Sequence, residues 1–124
     1  MMDHTGMQVT DMAATAHFYD TVLATMGGKR LLDFGVAIGY GGADGHPDFW
    51  ISQQESGEGF RESHLAFTAA NRATVDAFFA AATGLGAEVL HEPREWPEYH
   101  PGYYGAFVRD PDGNNVEAVS HQPE

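Results

Sequence analysis

The sequence predicts an α+β fold made of two βαβββ modules, and three observations predict it. The chain repeats itself, because an offset of 60 aligns His4 with His64, Asp11 with Asn71, Phe18 with Phe78 and Tyr19 with Phe79. Each copy carries one helical stretch that starts at a capping residue and stops at a glycine. Each helical stretch follows one strand-like run and precedes three more. Such single helical connections are too few for a TIM barrel or a doubly wound sheet.

In the first copy, residues 3–9 read as a strand, and Thr10-Asp11 can cap the helix that follows. Met12, Ala16, Tyr19, Val22/Leu23 and Met26 recur at helical spacing, and Gly27-Gly28 ends the run. Strands are expected at 30–34, 36–40 and 48–52, turned first at Gly35 and then by residues 41–47. Residues 53–59 are polar and contain two glycines, which makes them the linker. The second copy begins with a strand at 63–68 and a helix capped by Asn71. That helix carries Val75, Phe78/Phe79, Ala82 and Leu85, with Gly86 as its stop. Strands near 87–90, 103–110 and 115–120 complete it, the last two joined by a Pro111-Asp112-Gly113 turn. The segment from His91 to Gly102 is too polar and proline-rich for a core strand and reads as a loop, either one that covers a site or a rigid surface loop stacked by its prolines and aromatics.

At 124 residues the chain has the length of one domain, 1–124, with modules over 1–53 and 62–121. It has no cysteine, which excludes a disulfide scaffold, a thiol nucleophile and thiolate metal ligands. Eighteen acidic against six basic residues give a net charge of −12, a field that repels nucleic acid and anionic membranes. No apolar run approaches the roughly 18 residues of a membrane span, and the expected location is the cytoplasm.

Strand alternation then singles out three side chains. Thr5, Met7 and Val9 share one face of the first strand, leaving His4 on the other. Leu65 and Phe67 likewise leave His64, and Val116 and Ala118 leave Glu117. If the apolar faces lie under the helices, His4, His64 and Glu117 look the other way. A carboxylate within Val-Glu-Ala-Val is costly to bury alone and needs a cation, a hydrogen-bond network or water. Two imidazoles and a carboxylate suit Fe(II), Mn, Ni, Co or Zn and leave coordination positions open. The alternative is that the histidines are hydrogen-bonded at the core edge and Glu117 pairs with Arg109 or a backbone amide. His17 and His46 read as solvated. His121 shares the face of Glu117 but lies next to the chain end, outside the expected site. Arg94 is expected to pair with Glu92, Glu95 or Glu98.

The doubled plan and the stretch YYGAFVRDPDGNNVEAV resemble the vicinal oxygen chelate superfamily, which includes glyoxalase I, extradiol dioxygenases, and fosfomycin and bleomycin resistance proteins. The most specific signal runs from Asp110 through Pro111, Asp112, Gly113, Asn114, Asn115 and Val116 to Glu117. His4 followed by Phe18-Tyr19 supports it. The resemblance implies a cupped, incomplete mixed β-barrel with the helices outside, and a homodimer. It implies His4, His64 and Glu117 as metal ligands, with the fourth corner in residues 48–51, where glyoxalase-like members place a carboxylate. Phe49 or Trp50 stands there instead, with Asp48 on the same face as Trp50.

The activity so implied is that of a metal-dependent lyase or isomerase acting on a small oxygenated substrate, with the metal chelating two neighbouring oxygens. A Glu117 that ligates metal is no free base, so His100 is the first candidate for proton transfer. Trp50, Tyr103 and Tyr104 are expected to contact the small molecule. Extradiol dioxygenases use a tyrosine acid where Phe107 falls here, and their usual length is twice that of this chain. A metal-free binding or sequestration protein of the bleomycin-resistance kind is the alternative. The acidic charge and the aromatics Trp50, Trp96, Tyr99, Tyr103 and Tyr104 would suit a flat cationic ligand.

Overall fold

A computed structural model describes residues 1–123. The chain is α+β and divides into two compact units, Met1–Phe60 and Arg61–Glu124. The first contains β1 (Thr5–Val9), α1 (Met12–Ala24), β2 (Lys29–Asp33), β3 (Ala37–Gly41) and β4 (Phe49–Gln53). The second contains β5 (His64–Thr68), α2 (Arg72–Gly84), β6 (Val89–Glu95), β7 (Tyr104–Arg109) and β8 (Asn115–Ser120). Each unit is therefore one βαβββ module built on an open four-stranded sheet, ordered β1-β4-β3-β2 and β5-β8-β7-β6. The first and last strands of each module pair in parallel and the rest run antiparallel.

The helices begin and end as their sequences dictate. The Asp11 carboxylate accepts from the Ala14 amide at 3.0 Å and the Asn71 side-chain oxygen accepts from the Thr74 amide at 2.8 Å, each filling an orphan donor of the first turn. Beyond their last turns the backbone passes through the left-handed region at Gly27 (φ 81°) and Gly86 (φ 80°), where a side chain would be strained. Between these ends α1 buries Ala16, Phe18, Tyr19, Val22 and Leu23, and α2 buries Val75, Phe78 and Ala82. The Tyr19 ring packs edge-on to Phe49 of β4 at 4.9 Å. No helix among the described residues is long and apolar enough to cross a membrane.

Two expectations change. Most of the polar stretch after Leu90 is strand, because β6 continues through Pro93 to Glu95. It lies at the sheet edge and pairs only with β7, so the missing proline N–H leaves no ladder bond unmade on its open side. Irregular register between Val89 and His91 and between His91 and Arg94 accommodates it. Trp96, grouped above with ligand-facing aromatics, is instead a core residue, 6% exposed, with its indole N–H donating to the Gly105 carbonyl at 3.0 Å.

Candidate functional site

Glu117 lies on β8, between β5 and β7, opposite Ala66 on one side and Phe107 on the other. Its carboxylate is only 2% exposed, so the folded state must satisfy both oxygens. Oε1 lies 3.0 Å from Nε2 of His64, the first residue of β5. Oε2 accepts a hydrogen bond from the Tyr103 hydroxyl. A Cβ on Gly105 would stand 3.2 Å from Oε2, so the glycine leaves room for the carboxylate. A hydrogen-bond network is among the partners expected for a buried glutamate, and His64 and Tyr103 supply one. Arg109 is engaged elsewhere, with Glu62 at 2.7 Å and the Gly113 carbonyl at 2.7 Å.

The pair is open on one side. The His64 side chain is 51% exposed while its Glu117 partner is buried. The imidazole rests on Phe107, ring centroids 6.0 Å apart at 21°, and Phe107 is braced edge-on by His91 and Trp96. Burial pushes the Tyr103 hydroxyl above its usual pKa, and the hydrogen bond to Glu117 and the carboxylate's charge push it further. Tyr103 therefore remains a protonated donor at neutral pH.

Around Tyr103 the loop after β6 and the end of β8 bring two further histidines together. His100 Nε2 is 2.9 Å from His121 Nδ1, and His100 Nδ1 is 2.8 Å from the Pro101 carbonyl oxygen. Both rings lie edge-on to Tyr103, each 5.3 Å away. Tyr104, the neighbour of Tyr103, faces the other way: its hydroxyl donates to Asp76 of α2 at 2.8 Å, and Arg72 lies over its ring. Arg94 pairs with Glu98 at 3.0 Å, as its acidic neighbours suggested.

In the first unit, His4 precedes β1 and its Nδ1 lies 2.7 Å from the Asp3 carboxylate. That hydrogen bond, helped by the charge of His46, holds the Asp3 carboxyl below its ordinary value. His46 is tied to the Asp3 carbonyl at 2.9 Å. Trp50 occupies the place on β4 that Glu117 occupies on β8, opposite Gly6 and Gly39. Its indole N–H donates to the Pro47 carbonyl at 3.0 Å, and Phe34 lies parallel to it at 6.2 Å. Asp48 is exposed just ahead of that strand.

The structure thus joins His64 to Glu117 and adds Tyr103 as the holder of the carboxylate. His4 stands with Asp3 in its own unit. Among the described residues no group of three or more His, Asp or Glu side chains is gathered into a metal cluster. The His64–Glu117 pair fits two ligands of one ion. Nitrogen and oxygen donors on bonds of about 2.0–2.2 Å, at right angles, lie close to 3 Å apart. The link from Tyr103 to Glu117 escaped the sequence reading because it spans β7, the turn and the start of β8. Alternation did offer His121, on the face of Glu117.

Comparison with known proteins agrees with this architecture. The profile of the Glyoxalase/Bleomycin resistance protein/Dioxygenase superfamily matches residues 1–118. The chain belongs to that superfamily. It is 29% identical to a glyoxalase/bleomycin resistance protein from Albidiferax ferrireducens T118, with a TM-score of 0.77 and 98% of both chains covered. It is 27% identical to the uncharacterized protein YqjT of Bacillus subtilis over 129 residues, covering 96% of this chain and 98% of that one. Lactoylglutathione lyase from Agrobacterium tumefaciens shares the fold at 21% identity, with a TM-score of 0.71 and coverage of 97% and 92%.

Proposed function

We propose that this protein is a metal-dependent lyase or isomerase of the glyoxalase-like kind, acting on a small substrate with two neighbouring oxygens. The observation that carries the reading is the buried Glu117 carboxylate set 3.0 Å from an exposed imidazole, His64. His64 and Glu117 would hold a divalent ion, with His4 carried over from the family resemblance as third ligand. A bound ion supplies Lewis-acid stabilisation of negative charge on the substrate oxygens. The protein's own part is to fix that carboxylate. Tyr103 donates to the oxygen that faces away from His64, an outer-shell contact that orients the ligand. Phe107 supports the imidazole from below. Trp50 offers an aromatic surface to the substrate, and a homodimer completes the reading.

Metal analysis of untagged protein, followed by titration with Fe(II), Mn, Ni, Co and Zn, tests it. One ion is expected per chain, with affinity falling at least tenfold in His64→Ala and in Glu117→Gln. An unchanged affinity in His4→Ala removes His4 alone from the site. If the wild-type protein takes up none of these ions, the metal reading fails. The second reading, a metal-free binding protein, then takes its place. What favours that second reading is that both Glu117 oxygens already have protein partners, so its burial requires no ion.

A further inference from the structure

Two imidazoles from separate segments meet beside Tyr103. His100 lies in the turn after β6, closed by a hydrogen bond from the Tyr103 amide to the His100 carbonyl at 3.2 Å. Gly102 takes that turn through the left-handed region, φ 87°, and a Cβ added there would stand 3.6 Å from the His121 carbonyl oxygen. The backbone thus sets the turn against the residue that follows β8, and His100 Nε2 comes to lie 2.9 Å from His121 Nδ1. The other ring nitrogen of His100 settles its tautomer. A carbonyl oxygen has no hydrogen to give, so Nδ1, 2.8 Å from the Pro101 oxygen, carries the proton and donates it. Nε2 then presents a lone pair. A metal-binding histidine is commonly held in this way, its second nitrogen donating to a backbone carbonyl. In the neutral pair His121 Nδ1 donates to that lone pair. His121 is exposed, so its proton can move to Nε2, where water accepts it, and both facing nitrogens then carry lone pairs. Such a change of tautomer releases no proton.

We propose that His100 Nε2 and His121 Nδ1 form a divalent-metal site of their own, apart from His64 and Glu117, and that it takes a late first-row transition ion, copper(II) most tightly. Two nitrogens bound to one ion at about 2.0–2.1 Å and at right angles stand roughly 2.9 Å apart. Both donors are imidazole nitrogens, which suit copper(II), nickel(II) and zinc rather than magnesium, calcium or manganese, and copper(II) heads the affinity order. Water fills the remaining positions, so the site needs only two protein ligands and no larger cluster of side chains. The net charge of −12 adds a general attraction for cations. Tyr103 backs the site, edge-on to both rings at 5.3 Å, while its hydroxyl turns to Glu117. The proposed function has no part in this inference, which uses neither His64 nor Glu117.

Copper(II) alone, added in steps to the full chain, tests the site. In NMR spectra of the side chains the paramagnetic ion should broaden His100, His121 and Tyr103 together, and should do so equally in His64→Ala. Broadening confined to His64, or to His4 and His46, overturns the proposal. Affinity is read by competition with a chelator of known strength. For this site it should fall in His100→Ala and in His121→Ala by at least the roughly tenfold that loss of an outer-shell partner costs, and stay within about twofold in His64→Ala. An affinity unchanged in both histidine variants would leave a hydrogen-bonded pair and no metal site. Should either variant fail to fold, the broadening pattern of the wild type decides alone. Loss of metal from the His64–Glu117 pair strikes the proposed function and leaves this pattern intact, so the two failures are told apart.

Discussion

Trp50 and Glu117 occupy the same node in two copies of one module, and almost everything around them is exchanged. Each sits on the module's last strand, paired in parallel to the first and antiparallel to the strand before it. Trp50 is flanked by Gly6 and Gly39, Glu117 by Ala66 and Phe107. Where the central side chain is large, both neighbours are glycine, and a Cβ on Gly39 would reach within 2.7 Å of the indole. Where the central side chain is a carboxylate, a phenyl ring stands beside it and supports its imidazole partner. The duplicated backbone fixes the position of the node. The flanking side chains decide whether it holds an aromatic surface or a charged pair.

The largest test of that difference swaps the flanking sizes. Phe107→Ala removes a ring, 6% exposed, that packs on His64, His91 and Trp96, and should cost about 3–5 kcal/mol. Gly39→Ala should cost less, about 1–3 kcal/mol, because the indole can tilt away from the new methyl group. Urea unfolding followed by circular dichroism measures both, and tryptophan fluorescence should shift in Gly39→Ala as Trp50 moves. A neutral Gly39→Ala would mean that the indole does not fill the first node.

Much of this was legible in the chain. Asp11 and Asn71 announce helix starts, Gly27 and Gly86 announce stops, and the run around Glu117 announces a buried carboxylate in need of partners. These signals are local, fixed by a few neighbouring residues. The edge position of β6 is not local, so Pro93 and its charged neighbours read as loop although their strand pairs on one side only. Nor is the partnership of Tyr103 with Glu117 or of His100 with His121, set by the fold of β7 against β8 rather than by spacing. Composition named these residues as polar and aromatic, but only the register put them in contact.

What the two copies share should respond alike. Asp11→Ala and Asn71→Ala each remove a side-chain acceptor for a first-turn amide and should each cost about 1 kcal/mol. Asn71 also accepts from the Thr74 hydroxyl at 2.9 Å, so its loss should be slightly the greater. Hydrogen exchange in the first turns of α1 and α2 gives each value separately. A large inequality would show that one helix relies on its cap and the other on its packing.

The smallest effect belongs to a feature that only the first module has. Asp20 accepts two hydrogen bonds from Arg30, at 2.9 and 2.8 Å, and one from the Tyr40 hydroxyl at 3.0 Å, whereas the repeat puts Ala80 at the matching place. The hydrogen bonds from Arg30 lower the Asp20 carboxyl below its ordinary 3.8, with Tyr40 assisting and partial burial opposing. A carboxyl lowered in the folded state stabilises the fold above its unfolded value, and that stability disappears as pH falls through the folded one. The contribution should therefore be complete above about pH 4 and fade below it. Solvent screens the pair, each side chain being 38% exposed, which keeps the effect under about 1 kcal/mol. Asp20→Asn should flatten the acid dependence of amide exchange in α1, β2 and β3 and leave that of β7 and β8 unchanged. An acid dependence in α1 that survives the substitution would assign it to other carboxylates and erase this difference between the modules.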